Sequence, residues 1–139
     1  MNDIIVGVDQ SNTARKAAET AASMAANCGA NLHIVMCVKR GPTHQIAEGS
    51  DRYHINWLSE AEAFLHSLQG ELRHDQITST VSLDSPAAAI CEEATRLKAQ
   101  TIVVGNRRVQ GVTRVLGSVA ADVTKQAPCD VLIANTTEA

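Results

Sequence analysis

Short apolar runs alternate along this chain with segments of helical periodicity, and this alternation is the feature that most limits the fold. Continuous β-branched runs of this length are typical of strands buried on both faces, as in parallel sheets. Alternating strands and helices are joined by right-handed crossovers, which place helices on both faces of the sheet. We therefore predict an α/β fold with a five-stranded parallel sheet. The five predicted strands are Ile4–Val8, Leu32–Val38, Ile77–Leu83, Thr101–Gly105 and Asp130–Ala134.

The segments between these runs predict four helices. The second helix is predicted over Tyr53–Gly70, after a long polar stretch from Lys39 to Arg52. Ser85 and Pro86 open the third, since serine caps helices and proline is tolerated at the first position. The fourth begins at Gly117–Ser118 and ends before Pro128. The first helix, Asn12–Ala26, carries an apolar stripe at three- and four-residue steps, made of Ala14, Ala17, Ala18, Ala21, Ala22 and Ala25.

Composition excludes several classes of protein. Of the 139 residues, 45% are apolar and 19% charged, with a net charge of −3, which disfavours a protein that coats nucleic acid or an acidic membrane. Apolar runs stay well short of the roughly 20 residues that a membrane helix needs. The sequence has three aromatic residues, too few to stack single-stranded bases. We expect one domain over residues 1–139, since linkers and internal repeats are absent.

Cysteine and histidine spacing predicts neither disulfides nor a metal site. The cysteines form no C-x-x-C pair and lie in apolar stretches, so we expect free thiols and a cytoplasmic protein. Histidines at metal-ligand spacing are absent, and His33, inside a predicted strand, is interpreted as a packed or edge residue. The cysteines are Cys28, Cys37, Cys91 and Cys129.

Two predicted strand ends carry the residues most suited to binding a ligand. In open α/β sheets, ligands bind beyond the carboxyl ends of strands, where the strand order reverses. These ends are Gly7–Asp9 and Gly105–Arg108, and they share a crevice if the first and fourth strands are neighbours. Gly105 allows close approach of a ligand, and Gly117–Ser118 offers backbone N–H groups at a helix N-terminus, a natural phosphate site.

Each of these features also has a plainer interpretation. Arg107, Arg108 and Arg114 add positive charge for a phosphate, but the same segment also suits a solvated loop whose glycines only form turns. Asp9 is placed either to accept a hydrogen bond from a ribose or to cap the first helix. The P-loop, the dinucleotide motif G-x-G-x-x-G and the hydrolase motif G-x-S-x-G are all absent. The sequence therefore specifies no enzyme nucleophile, and we expect a binding protein rather than an enzyme.

Across essentially its whole length, the chain resembles the universal stress protein family. The resemblance is most specific in Ile102–Arg108 and Leu116–Val119. Nucleotide-binding members carry the motif G-x2-G-x9-G-[ST]; Gly105 matches its first glycine and Gly117–Ser118 its final pair. Arg108 stands at the second glycine, and eight residues separate it from Gly117, one fewer than in the motif. Arginine adds bulk there but also a bidentate donor.

The resemblance implies a Rossmann-like sheet with strand order 3-2-1-4-5 and a bound adenine nucleotide. It places Asp9 at the ribose, the Cys37 backbone at the adenine edge and Pro86–Ala87 beside the ribose. It places Gly105 beside ribose and phosphates, and Gly117–Val119 at the phosphates. The nucleotide is ATP, or AMP, ADP or cyclic AMP, with or without Mg²⁺. With the strand ends included, the candidate binding residues are Gly7, Val8, Asp9, Cys37, Pro86, Ala87, Val104, Gly105, Asn106, Arg107, Arg108, Gly117, Ser118 and Val119.

The leading functional hypothesis is an ATP-binding regulatory protein of the stress response that hydrolyses ATP slowly at most. It predicts no metal-ligating side chains and no nucleic-acid or membrane partner. The alternative is a nucleotide-free dimeric adaptor of the same fold that captures a protein partner. Both hypotheses predict a homodimer, because an exposed Val131–Ile133 edge would otherwise favour aggregation. The resemblance also implies pairing through this last strand.

Overall fold

The computed structural model describes residues 2–9, 12–38, 50–106 and 117–136, and they form an alternating series of strands and helices. No described helix combines the length and apolar character needed to cross a membrane. The elements are β1 (Asp3–Val8), α1 (Asn12–Cys28), β2 (Asn31–Cys37), α2 (Ser50–Glu71), β3 (Ile77–Ser82), α3 (Pro86–Leu97), β4 (Thr101–Gly105), α4 (Ser118–Gln126) and β5 (Asp130–Ala134).

The strands form one parallel sheet in the order β3-β2-β1-β4-β5, which confirms the predicted fold class and strand order. β1 lies in the centre, with Ile4 opposite Leu32 of β2 on one side and Thr101 of β4 on the other. The chain therefore passes first to one side of β1 and later to the other. This reversal places the topological switch point between the carboxyl ends of β1 and β4.

The helices cover both faces of the sheet and enclose a core on each. On one face, α1 and α2 pack over Ile4, Val6 and Ile34. On the other, α3 and α4 pack over Ile5 and Ile102, among other side chains. The predicted stripe of α1 is confirmed, since Ala14, Ala17, Ala18, Ala21, Ala22 and Ala25 are all buried.

Helix ends differ from the sequence prediction by a few residues. α1 continues to Cys28, two residues past the predicted end, and stops at Gly29, whose φ of +65° glycine adopts without strain. α2 begins at Ser50, three residues before the predicted start, so that the polar stretch before it is shorter than expected. The rest of that stretch, residues 39–49, lies outside the described residues.

A polar cluster around one buried histidine, here called the His33 cluster, joins β2 and β3 to α3. His33 is 4% exposed, and its Nδ1 and Nε2 lie 2.6 and 2.9 Å from the hydroxyls of Thr78 and Thr80. Thr80 donates its hydroxyl proton to Glu93 over 3.1 Å, so the Nε2–H of His33 must donate to Thr80. Arg96 donates to the other oxygen of Glu93 over 2.6 Å. His33 is therefore a packed histidine, as the sequence predicted.

Candidate functional site

A cavity of about 450 Å³ opens at the carboxyl edge of the sheet, at the switch point between β1 and β4. Ligand sites commonly have volumes of roughly 300–1,000 Å³. Gly7, Val8 and Asp9 contribute the end of β1 to its wall, and Val104 and Gly105 contribute the end of β4. The structure thus brings together the two strand ends that the sequence singled out.

The cavity straddles the sheet edge and touches the side chains of both cores. Val8, Ala17 and Met36 belong to the core beneath α1 and α2. Val35 and Ile90 belong to the opposite core beneath α3. This largely apolar floor suits the flat face of an organic ring, with polar groups needed only at the rim.

Gly7 determines how closely α3 approaches this floor. A Cβ atom at Gly7 would overlap the end of the Ile90 side chain. Because glycine lacks that atom, Ile90 packs directly on the β1 backbone and closes the α3 side of the cavity. The residue at this position therefore sets both the packing of α3 and the depth of the cleft.

The N-terminus of α4 forms the polar end of the cavity. Gly117 is the N-cap in extended conformation, and Ser118 and Val119 line the wall. The described residues provide no side-chain hydrogen bond that caps this helix. Helix N-termini present backbone N–H groups and a partial positive charge, so this end of the cavity favours an anion.

A second polar cluster, here called the Asn106 cluster, joins the end of β4 to the segment that follows β5. The Asn106 backbone N–H donates to the carbonyl of Ala134 over 3.0 Å. Its Oδ1 accepts from the backbone N–H and the hydroxyl of Thr136, at 3.1 and 2.9 Å. Its Nδ2 donates to Oδ1 of Asn135 over 3.3 Å. Thr136 is 1% exposed and also lines the cavity.

Cys37 contributes a neutral thiol to the wall. Burial, together with the nearby Asp84 carboxylate, raises the pKa of the Cys37 thiol to about 11. The thiolate is therefore scarce at neutral pH, and the side chain serves as a small apolar surface rather than as a nucleophile.

Most of the described candidate residues form this wall. Ala87, Asn106 and Gly117 do not line the cavity, although each directly adjoins a residue that does. Arg107 and Arg108 lie outside the described residues. The candidates in the wall are Gly7, Val8, Asp9, Cys37, Pro86, Val104, Gly105, Ser118 and Val119.

The other wall residues were not among the candidates predicted from the sequence. Thr13 and Glu60 are polar residues on helices, and Thr136 follows the last strand. The pairing of Gly105 with Ala134 places the segment that contains Thr136 beside the cleft. The remaining wall residues missed are Ala14, Ala17, Val35, Met36, Val38 and Ile90.

Within the described ranges, no group of three or more His, Cys, Asp or Glu side chains is placed to hold a metal ion. The polar groups that reach the cavity are instead hydroxyls and the carboxylates of Asp9 and Glu60. Hydroxyl and carboxylate oxygens are suited to bind the hydroxyl and amine groups of an organic ligand.

An open, doubly wound α/β fold with a cleft at its switch point defines a class of small-molecule-binding proteins. Comparisons with known proteins narrow this class. The Universal stress protein family matches residues 1–135. A universal stress protein of Mycobacterium tuberculosis, recorded from two strains, is 30% identical over 96% of this chain and 96% of its own. The chain therefore belongs to the universal stress protein family.

Solved structures agree with this assignment. A universal stress protein in complex with cAMP is 28% identical, with a TM-score of 0.68 over 98% of each chain. Universal stress protein UspA from Lactobacillus plantarum is 23% identical, with a TM-score of 0.77 over 95% of this chain and 96% of its own. The similarity to the Lactobacillus plantarum protein supports the assigned fold.

Proposed function

We propose that the protein binds an adenine nucleotide in the cleft between the ends of β1 and β4, and acts as a regulatory protein of the stress response. The observation that carries the proposal is the cavity of about 450 Å³ that ends at the N-terminus of α4. Its apolar floor suits the base, and its polar end suits a phosphate. The relative solved with cAMP, similar over 98% of each chain, supports the choice of an adenine nucleotide.

Cyclic AMP and ATP are the two ligands to compare first. The motif in the sequence favours ATP, whereas the similar solved protein is in complex with cAMP. Both contain adenine, ribose and phosphate, so both fit the division of the cavity into an apolar floor and an anion-binding end. Calorimetric titration with cAMP, AMP, ADP, ATP and cGMP, with and without Mg²⁺, ranks them directly. Adenine nucleotides are expected to bind and cGMP to bind more weakly.

A charge substitution tests the site. Ser118→Asp adds a carboxylate in the first turn of α4, where it favours the helix but repels a phosphate. We expect at least a tenfold loss of nucleotide affinity, about 1.4 kcal/mol, with no loss of thermal stability. Thr124→Asp is the matched control, since Thr124 is exposed on the same helix and outside the wall. Equal affinity in both variants, or no binding by the wild type, would favour the nucleotide-free adaptor.

We also propose that two copies pair through β5. Leu132 of this edge strand is 38% exposed, and Val131 and Ile133 are half-buried. The opposite edge strand, β3, presents polar side chains such as Thr78 and Ser79, which discourage such pairing. Sedimentation velocity is expected to give a dimer for the wild type and a monomer for Leu132→Glu. Leu58→Glu, at another exposed leucine, is the matched control and keeps the dimer.

A further inference from the structure

Four hydrogen bonds join Asn106 to the end of β5 and to the two residues after it. One runs from the backbone N–H of Asn106 to Ala134, the last residue of β5, and three are made by the side-chain amide. The side-chain partners are Asn135 and Thr136. These bonds hold the segment after β5 against the cleft, since Thr136 lines the cavity.

The partners also determine the orientation of the Asn106 amide. The backbone N–H of Thr136 only donates, so the atom that faces it must be the amide oxygen. That oxygen then also accepts the hydroxyl proton of Thr136. The amide nitrogen is left to donate to the Asn135 side-chain oxygen. Asn106 thus acts as a donor and an acceptor in one fixed arrangement, which neither aspartate nor leucine would reproduce.

Thr136 connects this arrangement to the cleft. Its side chain lines the cavity, and a Cβ atom built at Gly105 would lie 3.1 Å from its Cγ2 and 3.4 Å from its Oγ1. The Gly105 backbone and Thr136 are therefore in close contact at the base of the cavity. Any shift of Thr136 therefore changes the space at Gly105.

We propose that Asn106 and Thr136 are positioning residues of the nucleotide cleft. Their hydrogen bonds hold Thr136 against the backbone of Gly105, a wall residue that the family resemblance places beside the ribose and phosphates. This inference rests on the proposed function and adds the C-terminal segment to the site. It also reassigns Asn106, a candidate ligand contact, to a bond within the protein.

The test compares two substitutions of Thr136 that differ in the hydroxyl group. Thr136→Val keeps the shape of the side chain and the backbone N–H donor to Asn106 but removes the hydroxyl donor, whereas Thr136→Ser keeps both donors. Loss of the hydroxyl hydrogen bond is expected to weaken cAMP binding about tenfold in Thr136→Val, with Thr136→Ser binding more tightly than Thr136→Val. Adenosine, which lacks the phosphate, is expected to lose no more than about twofold, since the pair acts on the phosphate end.

Asn106→Ala provides a second, independent route to the same loss. If Asn106 and Thr136 affect binding through their mutual hydrogen bonds, their effects are not additive. The double variant Asn106→Ala/Thr136→Val then binds cAMP no more weakly than the single variant with the lower affinity. Thermal stability, measured in parallel, shows that each variant is folded. Thr124→Val, outside the wall, controls for a general effect of replacing a threonine on this domain.

Three outcomes distinguish failure of the proposed function from failure of this inference. A wild-type protein that binds none of the adenine compounds overturns the proposed function and this inference together. A wild-type protein that binds cAMP, while Thr136→Val binds it equally well at a reduced melting temperature, overturns only the inference. Equal losses for cAMP and adenosine also overturn it, because the effect would then not lie at the phosphate end.

Discussion

The His33 cluster and the Asn106 cluster are each centred on a buried side chain, His33 in one and Thr136 in the other, and each is hydrogen-bonded across neighbouring strands, but they differ in chemistry and place. The first contains a histidine, a carboxylate and a guanidinium and lies between the sheet and α3. The second contains only amides and a hydroxyl and lies at the cleft. One cluster is therefore able to change charge with pH, and the other is not.

Because of this difference, we expect the His33 cluster to affect the stability of the fold and the Asn106 cluster to affect ligand binding. The His33 cluster contributes no residue to the cavity wall, whereas Thr136 of the Asn106 cluster lies in it. Loss of the first is expected to lower the free energy of unfolding with little effect on the ligand. Loss of the second is expected to weaken binding with little effect on unfolding. Three predictions test this division.

The largest expected effect is on stability and comes from His33→Ala. The substitution leaves a cavity beside β2 and removes the hydrogen bonds that His33 makes with the hydroxyls of Thr78 and Thr80. We expect the free energy of unfolding to fall by about 2–3 kcal/mol. Nucleotide affinity is expected to remain within about twofold of the wild type. Urea denaturation and calorimetric titration measure the two quantities.

His66→Ala is the control for this prediction, since His66 is exposed on α2. It is expected to leave the free energy of unfolding within about 0.5 kcal/mol of the wild type. A tenfold loss of affinity in His33→Ala would show that the two clusters are coupled, and would contradict the division.

A smaller effect on stability is expected from Gly105→Ala. The added methyl lies tight against Thr136, which must shift by a few tenths of an ångström. We expect a stability loss of about 1 kcal/mol and a loss of nucleotide affinity of about tenfold. The double variant with Thr136→Ser removes the crowded Cγ2 atom and should recover part of the affinity. No recovery would mean that the methyl meets the ligand directly.

The smallest effect is expected from pH. Burial lowers the pKa of His33 below its ordinary value of 6.5, against the opposing influence of the Glu93 and Asp3 carboxylates and with that of Arg96. The unfolded chain therefore binds a proton near pH 6.5 while the folded ring stays neutral. Stability is complete above pH 6.5 and falls as the pH decreases below it.

His33→Gln provides the comparison for the pH prediction. Between pH 7 and 5, the free energy of unfolding of this variant should fall less than that of the wild type. Thr136→Val should keep the wild-type slope, because its cluster has no titrating group. Identical slopes in the wild type and His33→Gln would contradict the assignment to His33.

Glu93 affects stability at a lower pH than His33. Burial alone would raise the pKa of Glu93, but hydrogen bonds from Arg96 and Thr80 lower it below 4.5. The contribution of the Glu93 carboxylate to stability is therefore lost only in more acid solution.

Local patterns in the sequence predicted most of the fold. The alanine stripe of α1 is a periodic signal, and the continuous apolar runs of β1 and β4 are a second local signal. Both predictions were confirmed. The start of α3 at Pro86, after Ser85, was also correct, although the Ser85 side chain makes no capping hydrogen bond. The strand order came from family resemblance, because periodicity does not specify which strands are neighbours.

The site was predicted less completely, for a physical reason. Thr136 and Glu60 are polar residues in segments where exposed polar residues are common, so their type carries no signal. Their place in the cavity wall depends on which elements the folded chain brings together. Asn106 shows a related limit: its position beside Gly105 predicts a ligand contact, but local sequence gives no sign that its side chain also binds a segment 30 residues later in the chain.

The central position of β1 also has a consequence for how the chain acquires its structure. β2 is synthesised soon after β1, whereas Thr101, the β4 residue that faces Ile4, is synthesised much later. At about 5–20 residues per second, ribosomal synthesis separates these events by several seconds. Pairings so distant in sequence slow folding. A β1–β2 pair formed in that interval would leave the central strand of the sheet as an open edge, exposed to aggregation and to chaperones.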